Sequence, residues 1–322
     1  MQILEGKVEG ADNVRFDKYI TENAHGDLKV TRSQLKTRFV SLEVNGKAAK
    51  LSRPMKDGDV FKLVLEDEAT TDIVAEDLPL EVLFENDDVW VISKAQGMVT
   101  HPAHGNWNGT LANALLSRMD SASMPPRAGI VHRLDKDTSG IIIAAKHARA
   151  QEFLAEQFRK RRTEKFYIAI VQGVPTIRQG RIETWLARDS LNRKRFAVSD
   201  EGVGKKALSE YRVLAAGGSG SAPVSLLLFK ILTGRTHQIR VHCRHLGCPI
   251  LGDPIYGRQK REEARYSLML HAYYLTIQLP GEEAPRAFTA PVPERFLSCA
   301  LFPASALGHE TILAAIASWP SF

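Results

Sequence analysis

Two rhythms of apolar residues divide the chain. From about Leu80 onward, short runs of β-branched, aliphatic and aromatic residues recur as DVWVISK, GIIIAAK, FYIAIVQG, YRVLAA, SLLLFKIL and YYLTIQL. Such runs, bounded by turn residues, predict strands. Between two of them KHARAQEFLAEQFRKRR puts Phe153, Leu154 and Phe158 on one stripe and ends in basic residues, which predicts a helix. The segments HPAHGNWNGT and MPPRAG carry Pro and Gly and read as irregular connections. Before Leu80 the spacing is different. VRFDKYITEN and SQLKTRFVS have the spacing of two short helices. LEVNGKAAK predicts a strand pair around Asn45-Gly46, and RPMKDGDVFKLVL predicts a turn at Asp57-Gly58 followed by a strand. The last residues, HETILAAIASW, predict a short terminal helix. No internal repeat is visible.

These elements predict an α+β protein. A small N-terminal unit spans 13–65 and an acidic linker 66–79. A mixed, largely antiparallel domain spans 80–300, with an extension over 301–322. A length of 322 residues, at roughly 150 per domain, agrees with two folded units. The hydrophobic share of 44% and the charged share of 25% exclude a disordered or fibrous chain. No apolar stretch approaches the roughly 18 residues of a membrane span, and the N-terminus lacks the pattern of a secretory signal. Three cysteines, an odd number without framework spacing, exclude a disulfide scaffold and point to a reducing compartment. The expected location is the cytoplasm, and a monomer is the default.

Charge changes this picture through its distribution. The total excess is only +6. From Leu28 to Lys56, however, eight basic residues stand against Glu43 alone, and from Asp57 to Asp88 twelve acids stand against Lys62 alone. A basic block beside an acidic connector suits a polyanion-binding surface.

Candidate chemistry concentrates in two segments. In GIVHRLDKDTSGIIIAAK, Asp135 lies between Arg133 and Lys136 just before an apolar strand, a place for a carboxylate acting as nucleophile or base. The run Asp135-Lys136-Asp137-Thr138 also fits the DxDxT pattern of metal-dependent phosphotransferases. That pattern requires an apolar strand leading into the first Asp, where this chain has His132, Arg133 and Leu134. In FKILTGRTHQIRVHCRHLGCPILGDPIYG, the cations Arg235, Arg240 and Arg244 and three histidines occur with no acid between Phe229 and Leu251, which invites an anionic partner. Cys243, His245 and Cys248 lack the paired spacing of a zinc site and read as core residues.

HRLDKDTSG followed by GRTHQIRVH and PILGDPIYG resembles the signature set of RNA pseudouridine synthases of the RluA type. EKFYIAIVQG and GMVTHPAHGNWNGTLANALL match the same pattern. The basic unit with TRSQLKTRFVSLEVNGK is similar to the S4 RNA-binding module. The resemblance spans about 13–295. It implies a pseudouridine synthase catalytic domain preceded by an S4-like α/β module, acting on RNA with neither cofactor nor metal. Ribosomal RNA of the large subunit is the expected target, and transfer RNA an alternative.

By the same resemblance Asp135 is the catalytic residue, and attack at C6, attack at C1′ and removal of a ribose proton all remain open as its route. Arg133 would assist flipping of the uridine, which costs a few kcal/mol of unstacking. Tyr167 would stack on the flipped base, and Arg235 would pair with Asp135. Ile239 would pack the uracil, with His237 and Arg240 as framework or RNA backbone contacts. Arg32, Ser33, Lys36 and Arg38 would grip structured RNA, each phosphate contact contributing about −0.7 to the salt slope on single strands. One departure is Lys94-Ala95, where the family usually has Lys-Pro. The rival from another class is a non-catalytic RNA-binding protein on the same scaffold, which would need none of Asp135, Tyr167 and Arg235.

Overall fold

The computed structural model describes residues 1–23, 35, 36, 38–66, 73–103, 105–120, 124–192, 195–219, 222–257, 265–299 and 301–320. They divide into two units, Met1–Asp72 and Ile73–Phe322. The first contains β1 (Gln2–Lys7), β2 (Asp12–Arg15), β3 (Phe39–Val44), β4 (Lys47–Ala48), β5 (Pro54–Lys56) and β6 (Val60–Leu65). Its main sheet runs β1-β6-β3-β4, and β2 pairs with β5. The Asn45-Gly46 turn forms as predicted, with φ of 53° and 72°, because both central residues of this hairpin turn need positive φ. A helix covers Phe16–Glu22 and buries Phe16 edge-on against Phe61, with ring centroids 5.1 Å apart.

The second predicted helix is corrected in part. Leu35 and Lys36 are helical, but Phe39, Val40 and Ser41 belong to β3. Leu42 and Val44 alternate inward there and pair with β6, so the period of two prevails over the helical reading.

The second unit contains β7 (Glu81–Glu85), β8 (Val89–Lys94), β9 (Ser139–Ala145), β10 (Glu164–Gln172), β11 (Gln179–Arg188), β12 (Phe196–Ser199), β13 (Lys205–Ser219), β14 (Ala222–Ile231), β15 (Leu270–Gln278) and β16 (Pro285–Thr289). One mixed sheet joins them in the order β12-β11-β13-β14-β10-β15-β9-β8-β7, with β16 on β15. All six predicted strands of this region lie in it. The pair β9–β15 is parallel, meeting at His271–Ser139 and Ala272–Gly140, while the other pairings of this sheet among the described residues are antiparallel. Gly140 has φ +115°, and a Cβ there would stand 2.1 Å from the Ala272 carbonyl oxygen, so only glycine admits this approach.

The predicted central helix spans Ala148–Arg159 and buries Ala150, Leu154 and Gln157. Phe158 stacks on His132, whose Nε2 accepts the Ile143 backbone N–H at 3.0 Å. Residues 73–78, the part of the acidic stretch that the structure describes beyond Glu66, lie along the helix Leu111–Leu116. Asn113 donates to the Val74 carbonyl, and Glu76 accepts from the Gly109 N–H. The terminal helix, His309–Ala317, inserts the fully buried Ile312 into the main core. No helix among the described residues is long and apolar enough to cross a membrane.

Candidate active site

The turn before β9 carries Asp135, and buried groups fix its backbone. The Thr100 hydroxyl donates to the Leu134 carbonyl at 2.9 Å and accepts the Leu134 N–H at 3.3 Å. The Lys94 ammonium, 1% exposed, donates to the carbonyls of Ala95, Met98 and Lys136. Gln96 donates to the carbonyls of Asp137 and Leu268. Burial pushes the Lys94 pKa down to about 7, against the pull of Asp135 and Asp137. The Ala95 that replaces proline therefore sits in a loop that Lys94 itself ties to the Asp135 turn.

Opposite this turn, β14 ends and the chain reverses into a helix, Gln238–His245, through His237 in a left-handed conformation (φ 55°). Gln238 fastens the reversal. It accepts from the Thr233 hydroxyl and the Arg235 N–H, and donates to Leu208 O and Ser209 Oγ of β13. Arg240 then points at Asp135, with Nη1 3.7 Å from Oδ2. Its Nε and Nη2 bind Asp253 at 2.8 and 2.7 Å, a bidentate pair buried on both sides. Asp253 also accepts the N–H groups of Ile255 and Tyr256. Burial works against both charges, but this bonding holds the Arg240 pKa above the ordinary value and the Asp253 carboxyl below its own.

His237 Nε2 lies 4.0 Å from Asp135 Oδ2, and its Nδ1 lies 3.0 Å from the Tyr256 hydroxyl. The Tyr256 oxygen also accepts the Phe196 N–H; when its own proton goes to Nδ1, the His237 proton lies on Nε2, facing Asp135. Burial, with Arg240 nearby, lowers the His237 pKa although Asp135 raises it.

Tyr167 comes from β10, where a register shift between Phe166 and Tyr167 in the pairing with β15 breaks the regular alternation. Burial, reinforced by Asp135, drives its phenol pKa up, so it stays protonated. Asp135, Tyr167, Ile231, Arg235, Ile239 and Leu270 are among the residues around one cleft of about 550 Å³, open to solvent. Arg133 is exposed at its edge.

The structure thus brings Asp135, Arg133, Tyr167, Arg235, His237, Ile239 and Arg240 together. It corrects one pairing. Arg235 gives its Nε to the Lys206 carbonyl at 2.9 Å, and Arg240 makes the ion pair with Asp135. Asp253, Tyr256, Thr100 and Lys94 carry this arrangement without having been singled out as site residues, although Asp253 and Tyr256 lie in the motif PILGDPIYG. In the first unit Lys36 is exposed, and Arg38 donates to Glu66 O and Gln2 Oε1. Arg32 and Ser33 lie outside the described residues. Cys243 and Cys248 are buried thiols of the main core.

A carboxylate facing one locked guanidinium over an aromatic and aliphatic floor suits a site for a flat, half-apolar group. Comparison with known proteins agrees. Residues 88–245 match the family model described as RNA pseudouridylate synthase. The chain is 42% identical over 296 residues to "Ribosomal large subunit pseudouridine synthase D" of Borreliella burgdorferi, covering 88% of each chain. It is 37% identical over 300 residues to the protein of the same name from Xylella fastidiosa, covering 89% of this chain and 88% of that one. Among solved structures, human RNA pseudouridylate synthase domain containing 1 superposes with a TM-score of 0.60 at 27% identity. The match covers 77% of this chain and 98% of the human one. The chain belongs to the RNA pseudouridylate synthase family, and its activity is the isomerisation of uridine to pseudouridine in RNA.

Proposed function

We propose that this chain isomerises uridines of large-subunit ribosomal RNA and that Asp135 is the reacting carboxylate. One observation carries the assignment of Asp135: it faces a guanidinium that Asp253 holds in place, at the rim of a cleft backed by Tyr167 and Ile239. The ribosomal target rests on the relatives bearing that name, which align with most of this chain.

In this reading Arg133, exposed at the mouth, enters the gap left by the flipped uridine and binds phosphate. Tyr167 stacks on the base with its phenol protonated, Ile239 packs the uracil, and Arg235 lines the cleft from the Lys206 side. Arg240 keeps Asp135 aimed, and neutral His237 donates toward it from Nε2. The first unit, with Lys36 and Arg38 on its basic segment, acts as an RNA-binding module of the S4 kind. The reaction detaches uracil from C1′ and rejoins it through C5, with no net transfer of a group.

Tritium release from C5-labelled uridine in ribosomal and transfer RNA transcripts, in EDTA, tests this reading. Release by the native protein from large-subunit transcripts, and none by Asp135→Asn, is the expected result. Release from transfer RNA alone would move the target. Undiminished release by Asp135→Asn would overturn the assignment of the carboxylate. RNA binding without any release would favour a binding protein on the same scaffold.

A further inference from the structure

Tyr256, whose hydroxyl holds His237, also lines a second cavity, open to solvent. The residues after β11 and the strand β12 form one wall of it, with Arg195 and Phe196. The end of the helix Gln238–His245 forms another, with Arg244 and His245. Asp189 lines it too, but its Oδ1 already accepts the N–H groups of Leu191 and Asn192 at 2.8 and 3.2 Å. Among the described residues no carboxylate forms an ion pair with Arg195, which is half-buried, or with Arg244, which is exposed, and the buried Nε of Arg195 has no hydrogen-bond partner. The negative end of a helix dipole accounts for cations at Arg244 and His245. It does not account for Arg195, which comes from another element and converges on the same space.

The cavity is also tied to the reacting site. The Phe196 N–H donates to Tyr256, the Phe196 ring meets His237 edge-on at 6.0 Å, and His237 faces Asp135. Two guanidiniums lining one pocket, that of Arg195 half-buried and that of Arg244 exposed, outnumber the single carboxylate beside them, Asp189, whose Oδ1 is already bonded; the excess of positive charge suits a phosphate, which each arginine can bind with a planar fork.

We propose that this cavity is a second RNA subsite, in which Arg195 and Arg244 take a phosphodiester flanking the flipped uridine. The inference rests on the reading of Asp135's cleft as the uridine site. It assigns the strand beside the target a path past Tyr256.

The test compares native protein with Arg195→Gln, Arg244→Gln and the double variant, on the transcript the native protein binds best. Dissociation constants over a salt series and the kinetics of tritium release are measured together. Each single variant raises Kd by about tenfold, and the loss falls on Kd and KM far more than on kcat. The salt slope shrinks by about 0.7 per lost contact. Arg195→Lys with Arg244→Lys restores the slope. Arg159→Gln, on the surface helix where Arg159 pairs with Glu152, leaves Kd and slope unchanged. A neutral methylphosphonate moved through the positions flanking the target locates the contact. At one position it weakens native binding as much as the double variant does and weakens the double variant no further.

An unchanged Kd and slope in a folded double variant overturns the subsite, as does a double variant that stays sensitive to every methylphosphonate position. Absence of tritium release from the native protein instead overturns the uridine-site reading, and the Kd and slope comparison still decides whether Arg195 and Arg244 bind phosphate.

Discussion

Arg240 serves two carboxylates with two parts of one side chain. Its Nε/Nη2 edge is spent on Asp253, and its Nη1 corner is left for Asp135. A lysine has one charged point and cannot occupy both positions. Arg240→Lys is therefore expected to keep the fold but lower kcat by about 100-fold, as a misplaced reacting group does, with KM for RNA little changed in tritium-release kinetics. Asp253→Ala leaves the guanidinium buried without its main partner. Loss of one member of a buried pair costs about 3–5 kcal/mol, which a urea titration would register; a loss below about 1 kcal/mol would mean that Asp135 alone satisfies Arg240. The motif GRTHQIR contains both arginines, and the family resemblance, not the spacing, points to Arg235 as the one that meets the carboxylate. The structure gives that place to Arg240. The choice depends on the left-handed turn at His237, which leaves Arg235 before the reversal and carries Arg240 into the helix. Histidine is enriched at positive φ but adopts it in only a small minority of cases, so the residue type alone does not announce the reversal.

At the level of elements, the extension after residue 300 is a brace for the central sheet. Its helix buries Ile312, and the Tyr273 hydroxyl lies 2.7 Å from His309 Nδ1. Arg212 of β13 donates to the carbonyls of Ala315 and Ser318, satisfying groups that a helix end leaves without partners. Trp319 donates to Glu210 and packs edge-on against Phe166, with centroids 5.1 Å apart. Phe166 is the neighbour of Tyr167 at the irregular step of β10, so the brace bears on the strand that presents the phenol. Ile312→Ala is expected to lower stability by about 2–5 kcal/mol, measured as the shift of a urea unfolding curve. A loss under about 0.5 kcal/mol would place the helix outside the folded unit, as for a surface substitution. The strands legible in sequence were the apolar runs, because burial on both faces leaves no room for charge: every residue of β9 is buried. β11 was missed because its inward residues Ile182, Thr184 and Leu186 alternate with Arg181, Glu183 and Trp185 in a stretch that reads as polar. β12, with four residues, was too short to show a period.

Across the whole molecule the histidines set the acid limit. Burial pushes the pKa values of His132, His242 and His271 down to about 3. The unfolded chain takes up these protons near pH 6.5, and the folded chain does not until far lower pH. Stability is therefore complete above about pH 6.5 and falls as the solution is acidified, each histidine adding up to about 1.4 kcal/mol per pH unit. Urea unfolding at pH 8, 6 and 5 would show this slope, and a flat profile from 8 to 5 would show that the rings are protonated in the fold. The parallel pairing of β9 with β15 has a consequence of another kind. It joins Ser139 to His271 across 132 positions of sequence, and Leu270 at the start of β15 is part of the cleft that holds Asp135. Contacts this distant form late, since the intervening chain must first be ordered. A chain emerging from the ribosome N-terminus first thus exposes Asp135 long before the cleft around it can close. The cleft that holds Asp135 is therefore expected to close only once β15 has been made.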